Sequence, residues 1–238
     1  MIKANDIKDA LSVLAIPEKK EIYPRFFKDG KGEYAEGDLF IGVTVPDQRK
    51  IVEAFWNGIS LSNLSELLSS PVHEHRHTAL LILVKKFEKS GDSEEKEEIV
   101  KFYLEHNRFI NNWDLVDCSC YKILGNYAFE TQNDELLRKL SRSENMWSKR
   151  MAIVGTMFHI KKGEFELTKE LALYNLNHPH DLMHKANGWL LREMGKVDAD
   201  ELLQFLKIHY LKMPRTSLRY AIEKLDEELR QDFLQSRI

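Results

Sequence analysis

The chain has 238 residues, 43% of them hydrophobic and 31% charged, with few glycines and prolines. That balance fits a globular chain able to bury a sizeable core, and it excludes collagen-like and disordered classes. The formal net charge of −3 argues mildly against a dedicated nucleic-acid binder, but binding follows the local field and not the total.

In chain order, the N-terminus MIKANDIKDALSVLA carries charge early and no apolar signal core, so a cytoplasmic protein is expected. No apolar run approaches the ~20 residues that span a bilayer, and no membrane partner is expected. Asp29 to Asp38 holds three glycines and reads as a surface loop. Phe40 to Val45 is the one β-like run. It ends at Pro46 and has no partner run, so it is expected to be an extended connector. Ser70-Pro71 reads as an N-cap and first helical position ahead of the apolar stretch Ala79–Val84, with Gly91 closing that helix. Ser93 is placed as the next cap, with Glu94 and Glu95 in the favourable first turn.

Further on, Asp134 is expected to cap LLRKL. Asn145 precedes a helix ending at Gly163, Pro179 opens one ending at Gly195, and Asp198 or Asp200 opens one through Tyr210. Pro214 opens the last. Cys118 and Cys120 lie two apart on a helix, a spacing at which side chains do not face each other. They are read as reduced structural residues. The nine histidines include the runs His73, His75, His77 and His178, His180, His184. Neither run has the full pattern of a helical metal site, and no metal or cofactor is expected.

A basic residue closely followed by Ala and an apolar run recurs at Arg76, Arg150, Lys185 and Arg219. The last three are 35 and 34 positions apart, and Lys122 falls near the middle of the first gap. Helix pairs at that period indicate an all-α solenoid, an α-α superhelix that buries its apolar faces only by stacking. A single domain over 1–238 is therefore expected. One helix of each pair lines a concave face, so Arg76, Lys122, Arg150, Lys185, Arg192, Arg215 and Arg219 would form a basic ladder suited to a phosphate backbone.

Trp113 and Asp117 stand at i,i+4 and share a helix face. A carboxylate repels phosphate, so its presence beside a basic ladder calls for a task. Asp117 can stabilise a cation, and Trp113 and Trp189 can offer it π faces worth roughly 0.5–2 kcal/mol each.

Asn111-Asn112-Trp113-Asp114-Leu115-Val116-Asp117 resembles the W-D-x-V-D signature of the AlkD-like DNA glycosylases, a bacterial DNA alkylation-repair family. Trp147-Ser148-Lys149-Arg150-Met151-Ala152-Ile153 resembles its W-x-x-R-x-A-I helix. Lys185-Ala186-Asn187-Gly188-Trp189-Leu190-Leu191-Arg192-Glu193 resembles its K-A-x-G-W-x-L-R-E helix. The segments from Arg25 to Val43 and from Met213 to Ala221 are similar as well, so the resemblance covers nearly the whole chain.

The resemblance implies a superhelix of HEAT-like repeats with a concave basic face. It also implies excision of cationic alkylpurines, of the 7-methylguanine and 3-methyladenine type, from double-stranded DNA. In that reading Asp117 assists glycosidic cleavage, while Trp113 and Trp189 pack against the lesion's sugar and backbone. Lys149, Arg150, Lys185, Arg192, Arg215, Arg219 and Phe26 contact DNA, Arg150 as a phosphate ligand. Phe26 stands where the family can have Tyr, and the 29–38 loop is longer than usual.

The family works without a base-flipping pocket, and a concave groove without a deep pocket is expected here too. No lysine is placed as a Schiff-base nucleophile, so hydrolysis without lyase activity is expected, by a monomer. The alternative is a non-catalytic HEAT-repeat module that binds damaged or branched DNA through its shape. A protein-interaction scaffold is disfavoured by the Trp–Asp pair.

Overall fold

A computed structural model describes residues 2–238 of the chain. Every regular element in it is helical. The described residues contain no β-strand, only isolated bridges at Ile2–Ile59 and Leu39–Val72. The chain forms two compact units, Met1–Ser119 and Cys120–Ile238.

The first unit contains α1 (Ala4–Val13), α2 (Pro17–Phe27), α3 (Val45–Phe55), α4 (Leu61–Leu68), α5 (His73–Lys89), α6 (Ser93–Glu105) and α7 (Trp113–Cys120). Leu64, Leu67 and Leu68 of α4 and Leu80 and Leu83 of α5 are fully buried, each burial stabilising by roughly 2 kcal/mol. The 40–44 run is an extended connector, as its lack of a partner predicts. Pro46 does not simply end it: Pro46 sits in the first turn of α3, where a missing N–H costs nothing, and the Thr44 hydroxyl caps that helix by accepting from Asp47 N at 3.3 Å. Gly42 has φ +85°, and a Cβ there would lie 2.2 Å from the Ile16 carbonyl oxygen. Only glycine lets the connector cross the end of α1–α2 at this height.

Ser70 does not cap α5 directly. Val72 holds the cap position, and the Ser70 hydroxyl accepts from Val72 N at 3.1 Å and meets His75 Nδ1 at 2.9 Å. Asp92, not Ser93, caps α6, accepting from Glu94 N at 2.7 Å.

The second unit opens with a π-helical turn over Tyr121–Gly125. It continues through α8 (Asn126–Glu130), α9 (Glu135–Ser141), α10 (Met146–Gly155), α11 (Met157–Lys161) and α12 (Glu166–Tyr174). It ends with α13 (Asp181–Val197), α14 (Ala199–His209), α15 (Arg215–Ala221) and α16 (Glu227–Gln235). Helix α13 is its centre, packed by α10, α12, α14 and α15.

Asn145 caps α10 as expected, accepting from Trp147 N and Ser148 N, and Asp198 caps α14. Gly163, at φ +79°, follows α11. Gly195 does not end α13, which runs on to Val197. It is a packing glycine whose Cβ would meet the Leu202 side chain at 2.4 Å. The α13 start lies two residues past Pro179, with His180 as cap. The Asp134 side chain makes no cap bond. It accepts instead from His159 Nε2 at 3.0 Å.

Candidate functional site

Helix α7 is built to present one side. Asn112 is buried and accepts from Trp113 N through its side chain at 2.8 Å, and its carbonyl accepts from Val116 N. Leu115, Val116 and Ser119 are buried. Ser119 bonds the Tyr103 hydroxyl at 2.8 Å, locking α7 to α6. Trp113 and Asp117, one turn apart, are only half-buried.

Trp113 sits in a cluster of rings. Its centroid lies 5.7 Å from Phe26 and 5.7 Å from Phe27. Phe27 stacks on Phe40 at 5.4 Å. Phe26 is 59% exposed, so the cluster reaches the surface through that ring.

Beneath these rings lies a polar layer that sequence reasoning did not anticipate. His73 Nε2 donates to Asp114 at 2.7 Å and its Nδ1 to Asp38 at 3.3 Å. The ring lies between Phe27 and Phe40, with centroids 4.6 and 5.2 Å away. Burial alone would lower the His73 pKa. The Asp114 charge and hydrogen bond, with the Asp38 hydrogen bond, outweigh it and raise the pKa to about 9. His73 is thus an imidazolium; desolvation alone would raise the Asp114 pKa, but the His73 charge and hydrogen bond hold it below the usual carboxylate range.

Arg76 donates to Asp38 at 2.6 Å and is 5% exposed. This corrects its expected place on a basic ladder: it faces the interior. Glu74, 1% exposed, accepts from Ile41 N and Gly42 N at 3.1 and 2.7 Å and so pins the connector. His77 donates to Gln48 at 2.6 Å, and Gln48 donates to the Val43 carbonyl at 3.0 Å. Burial pushes His75 and His77 each down to about 4. All three histidines of the first run therefore have protein partners.

The expectation of no deep pocket does not hold for this unit. A cavity of about 310 Å³ opens between α2, the start of α3, α5 and α7, at the low end of ligand-site volumes. Tyr23, Phe26, Phe27 and Trp113 line it together with His73, Asp114, Glu74 and His77.

The remaining expected site residues lie in the second unit. Gly188 brings α13 against α15: a Cβ would lie 2.3 Å from the Ser217 carbonyl oxygen. Trp189, next to it, is half-buried. Arg150 is 5% exposed and donates to the Leu182 carbonyl at 2.5 Å, tying α10 to the start of α13. Lys149 donates to the Ser141 carbonyl and lies over the Tyr174 ring. Lys185 pairs with Asp181 at 2.8 Å. Arg192 pairs with Glu223 and Glu193. Arg215 is exposed and donates to the Leu234 carbonyl at 3.0 Å. Arg219 is exposed, and Lys122 lies beside Tyr121. Trp147 is a core residue at the base of α10. Cys118 and Cys120 are not joined in a disulfide, and no helix among the described residues is long and apolar enough to cross a membrane.

A family model described as DNA alkylation repair enzyme matches residues 7–225. Among solved structures, one described as a predicted DNA alkylation repair enzyme from Enterococcus faecalis superposes with a TM-score of 0.70 at 17% identity. The match covers 90% of this chain and 97% of that one. At such identity the likeness speaks for the all-α helical-repeat fold alone. No protein of curated function matches the sequence.

Proposed function

Because the chain belongs to the DNA alkylation repair enzyme family, we propose that it is a monofunctional glycosylase, hydrolysing the N-glycosidic bond of cationic alkylpurines in duplex DNA. The observation that carries this reading is the presentation of Trp113 and Asp117 on the half-exposed side of α7, with the opposite side locked into the core. Alkylation at N7 of guanine or N3 of adenine puts a positive charge on the base and makes it a good leaving group. Its departure builds oxocarbenium character on the sugar. A preorganised carboxylate stabilises that cation more than the ground state, and this difference is what lowers the barrier.

Asp117 is assigned that role and the orientation of the attacking water. Trp113 is assigned the aromatic face toward the sugar, and Trp189 a second aromatic contact to the DNA. Lys149, Lys185, Arg192, Arg215 and Arg219 are assigned phosphate contacts. Arg150, 5% exposed and bonded to the Leu182 carbonyl, is assigned the positioning of α13 in place of the expected phosphate contact. The protein is proposed to act as a cytoplasmic monomer.

The test is release of 7-methylguanine from methylated duplex DNA by wild type and by Asp117→Asn. Release should fall by at least about 100-fold in the variant, the usual scale for loss of one transition-state stabiliser, with duplex binding kept. Full release by the variant would remove Asp117 from the chemistry. No release by wild type, with binding kept, would leave the non-catalytic DNA-binding module.

A further inference from the structure

Helices α12 and α14 both pack on α13, and a groove of about 410 Å³ lies between them. Each spends one face on the core: Leu167, Leu171 and Ala172 of α12 and Leu202 and Leu206 of α14 are buried. A second stripe of each lines the groove. Glu166, Glu170 and Leu173 follow one another at i, i+4 and i+7 on α12, and Glu201, Phe205 and Ile208 repeat that spacing on α14. The two helices run the same way along the groove. Lys169 Nζ bridges Glu166 and Glu201, in the first turns of both, at 2.5 and 2.9 Å.

The groove is therefore acidic at one end and apolar at the other. Among the described residues its three carboxylates share two cations, Lys169 and Arg138, the latter donating to both oxygens of Glu170. A negative charge is left over, and the Glu166 side chain is 90% exposed. At the apolar end Phe205 forms a nearly buried floor, while Ile208 is 72% exposed and Leu211, one turn on, 73%. Large aliphatic side chains bared together beside a groove mark a contact surface.

The chemistry of the groove selects its occupant. The surplus carboxylate repels a phosphate backbone and an anionic lipid surface alike. A small apolar ligand would leave the acidic end unused. A helix with apolar side chains at one end and basic ones at the other answers both ends. Helix α12 is about 13 Å long at 1.5 Å per residue, which matches two to three turns of a docked helix. Basic residues in such a helix are favoured in its last turn, at the negative end of its dipole. Setting that end on Glu166 and Glu201 makes it run antiparallel to α12 and α14.

We propose that the α12–α14 groove is a docking site for an amphipathic helix of a partner protein. Its leucine-type side chains lie on Phe205 and Ile208, and lysine or arginine of its last turn meets Glu166 and Glu201. The inference does not depend on the glycosylase reading, since no groove residue is assigned to DNA.

The test uses the full chain and an alanine-based peptide of about 15 residues, long enough to hold a helix. It carries two leucines one turn apart near its N-terminus and two arginines one turn apart on the same face near its C-terminus. Fluorescence anisotropy of the labelled peptide should show saturable binding. Replacing the leucines by serines, or the arginines by glutamates, should weaken it at least about tenfold. Ile208→Glu, a change at an exposed position, should abolish it. Glu166→Lys should weaken the arginine peptide and strengthen the glutamate peptide, an exchange that loss of fold cannot produce. No binding by wild type, equal binding of the arginine and glutamate peptides, or undiminished binding by Ile208→Glu would each overturn the proposal. So would a second copy in the groove, seen in sedimentation as self-association of the chain that Ile208→Glu removes. A loss of affinity for duplex DNA in Ile208→Glu would place the groove on the path of the DNA and overturn it as well.

Discussion

Asp38 is the residue whose loss should be felt most for its size. It is nearly fully buried and takes the Arg76 guanidinium at 2.6 Å and His73 Nδ1 at 3.3 Å. Arg76 cannot shed its charge, so Asp38→Leu strands a cation whose side chain is 6% exposed. Breaking a buried pair from one side costs about 3–5 kcal/mol, roughly a fifth or more of the stability of an ordinary domain. His73 keeps Asp114 at 2.7 Å, which holds the estimate to that range. Arg76→Met alone should cost less, because Asp38 retains His73. The double variant Asp38→Leu/Arg76→Met removes both charges and should regain most of the loss, as apolar replacements of buried pairs do. Urea unfolding of the four proteins gives the coupling directly, provided the slope with denaturant stays constant. A loss under about 1 kcal/mol for Asp38→Leu, or a double variant as unstable as the single, would refute the view that this pair is a desolvated ion pair holding the 38–44 connector in place.

Gly188→Ala should destabilise by about 1–2 kcal/mol. Parting α13 from α15 costs about 1–3 kcal/mol, and the better helix propensity of alanine offsets up to about 1; an unchanged melting temperature would mean that α15 shifts freely. The pH profile of stability should fall on both sides. His75 and His77 stay neutral in the fold down to about 4, so the unfolded chain gains protons first and stability declines from pH 6.5 toward 4 by at most about 3 kcal/mol per group. His73 is charged in the fold up to about 9, so its contribution is whole below 6.5 and lost as pH rises through 9; His73→Gln should flatten the alkaline limb, and an unflattened limb would deny the imidazolium. Asp114→Asn should lower stability in urea unfolding by roughly 1.5–3 kcal/mol, the worth of a charged hydrogen bond; an unmoved midpoint would deny the bond to His73. Arg215→Ala and Arg219→Ala should each reduce the slope of log affinity for duplex DNA against log salt by about 0.9; an unchanged slope would place that arginine off the phosphates.

The helices were legible from local chemistry wherever a side chain acts on its own backbone. Asn145 and Asp198 cap α10 and α14 because an N-cap bond spans only two or three residues and is visible in a short window. Gly195 looks like a helix stop because a packing glycine and a C-terminal glycine are alike in sequence. What separates them is Leu202 on the next helix, a tertiary fact. Arg76 failed for the same reason: its partner Asp38 is 38 residues away, and a basic residue at the right repeat spacing gives no sign of which way it faces. A sign was present in His73, His77, Leu80 and Val84. They fall one turn apart, so the polar head of α5 continues the apolar face of its body. A polar group on a core-facing stripe implies buried partners, and that rule would have found the layer under Trp113.

That layer also bears on an ambiguity the signature leaves open. Trp113-Asp114-Leu115-Val116-Asp117 offers two carboxylates, and the i,i+4 rule alone favours Asp117 only as the one sharing a face with Trp113. Asp114 is turned toward α5 and committed to an imidazolium, with its pKa lowered by it. Its charge is neutralised before any substrate arrives, so it has little field left for an oxocarbenium-like sugar. Asp117 stands one turn below Trp113, on the side of α7 that the core leaves half-open. One helix thus divides its two carboxylates between anchoring and proposed chemistry. The His73 bond fixes the roll of α7 and with it the positions of Trp113 and Asp117.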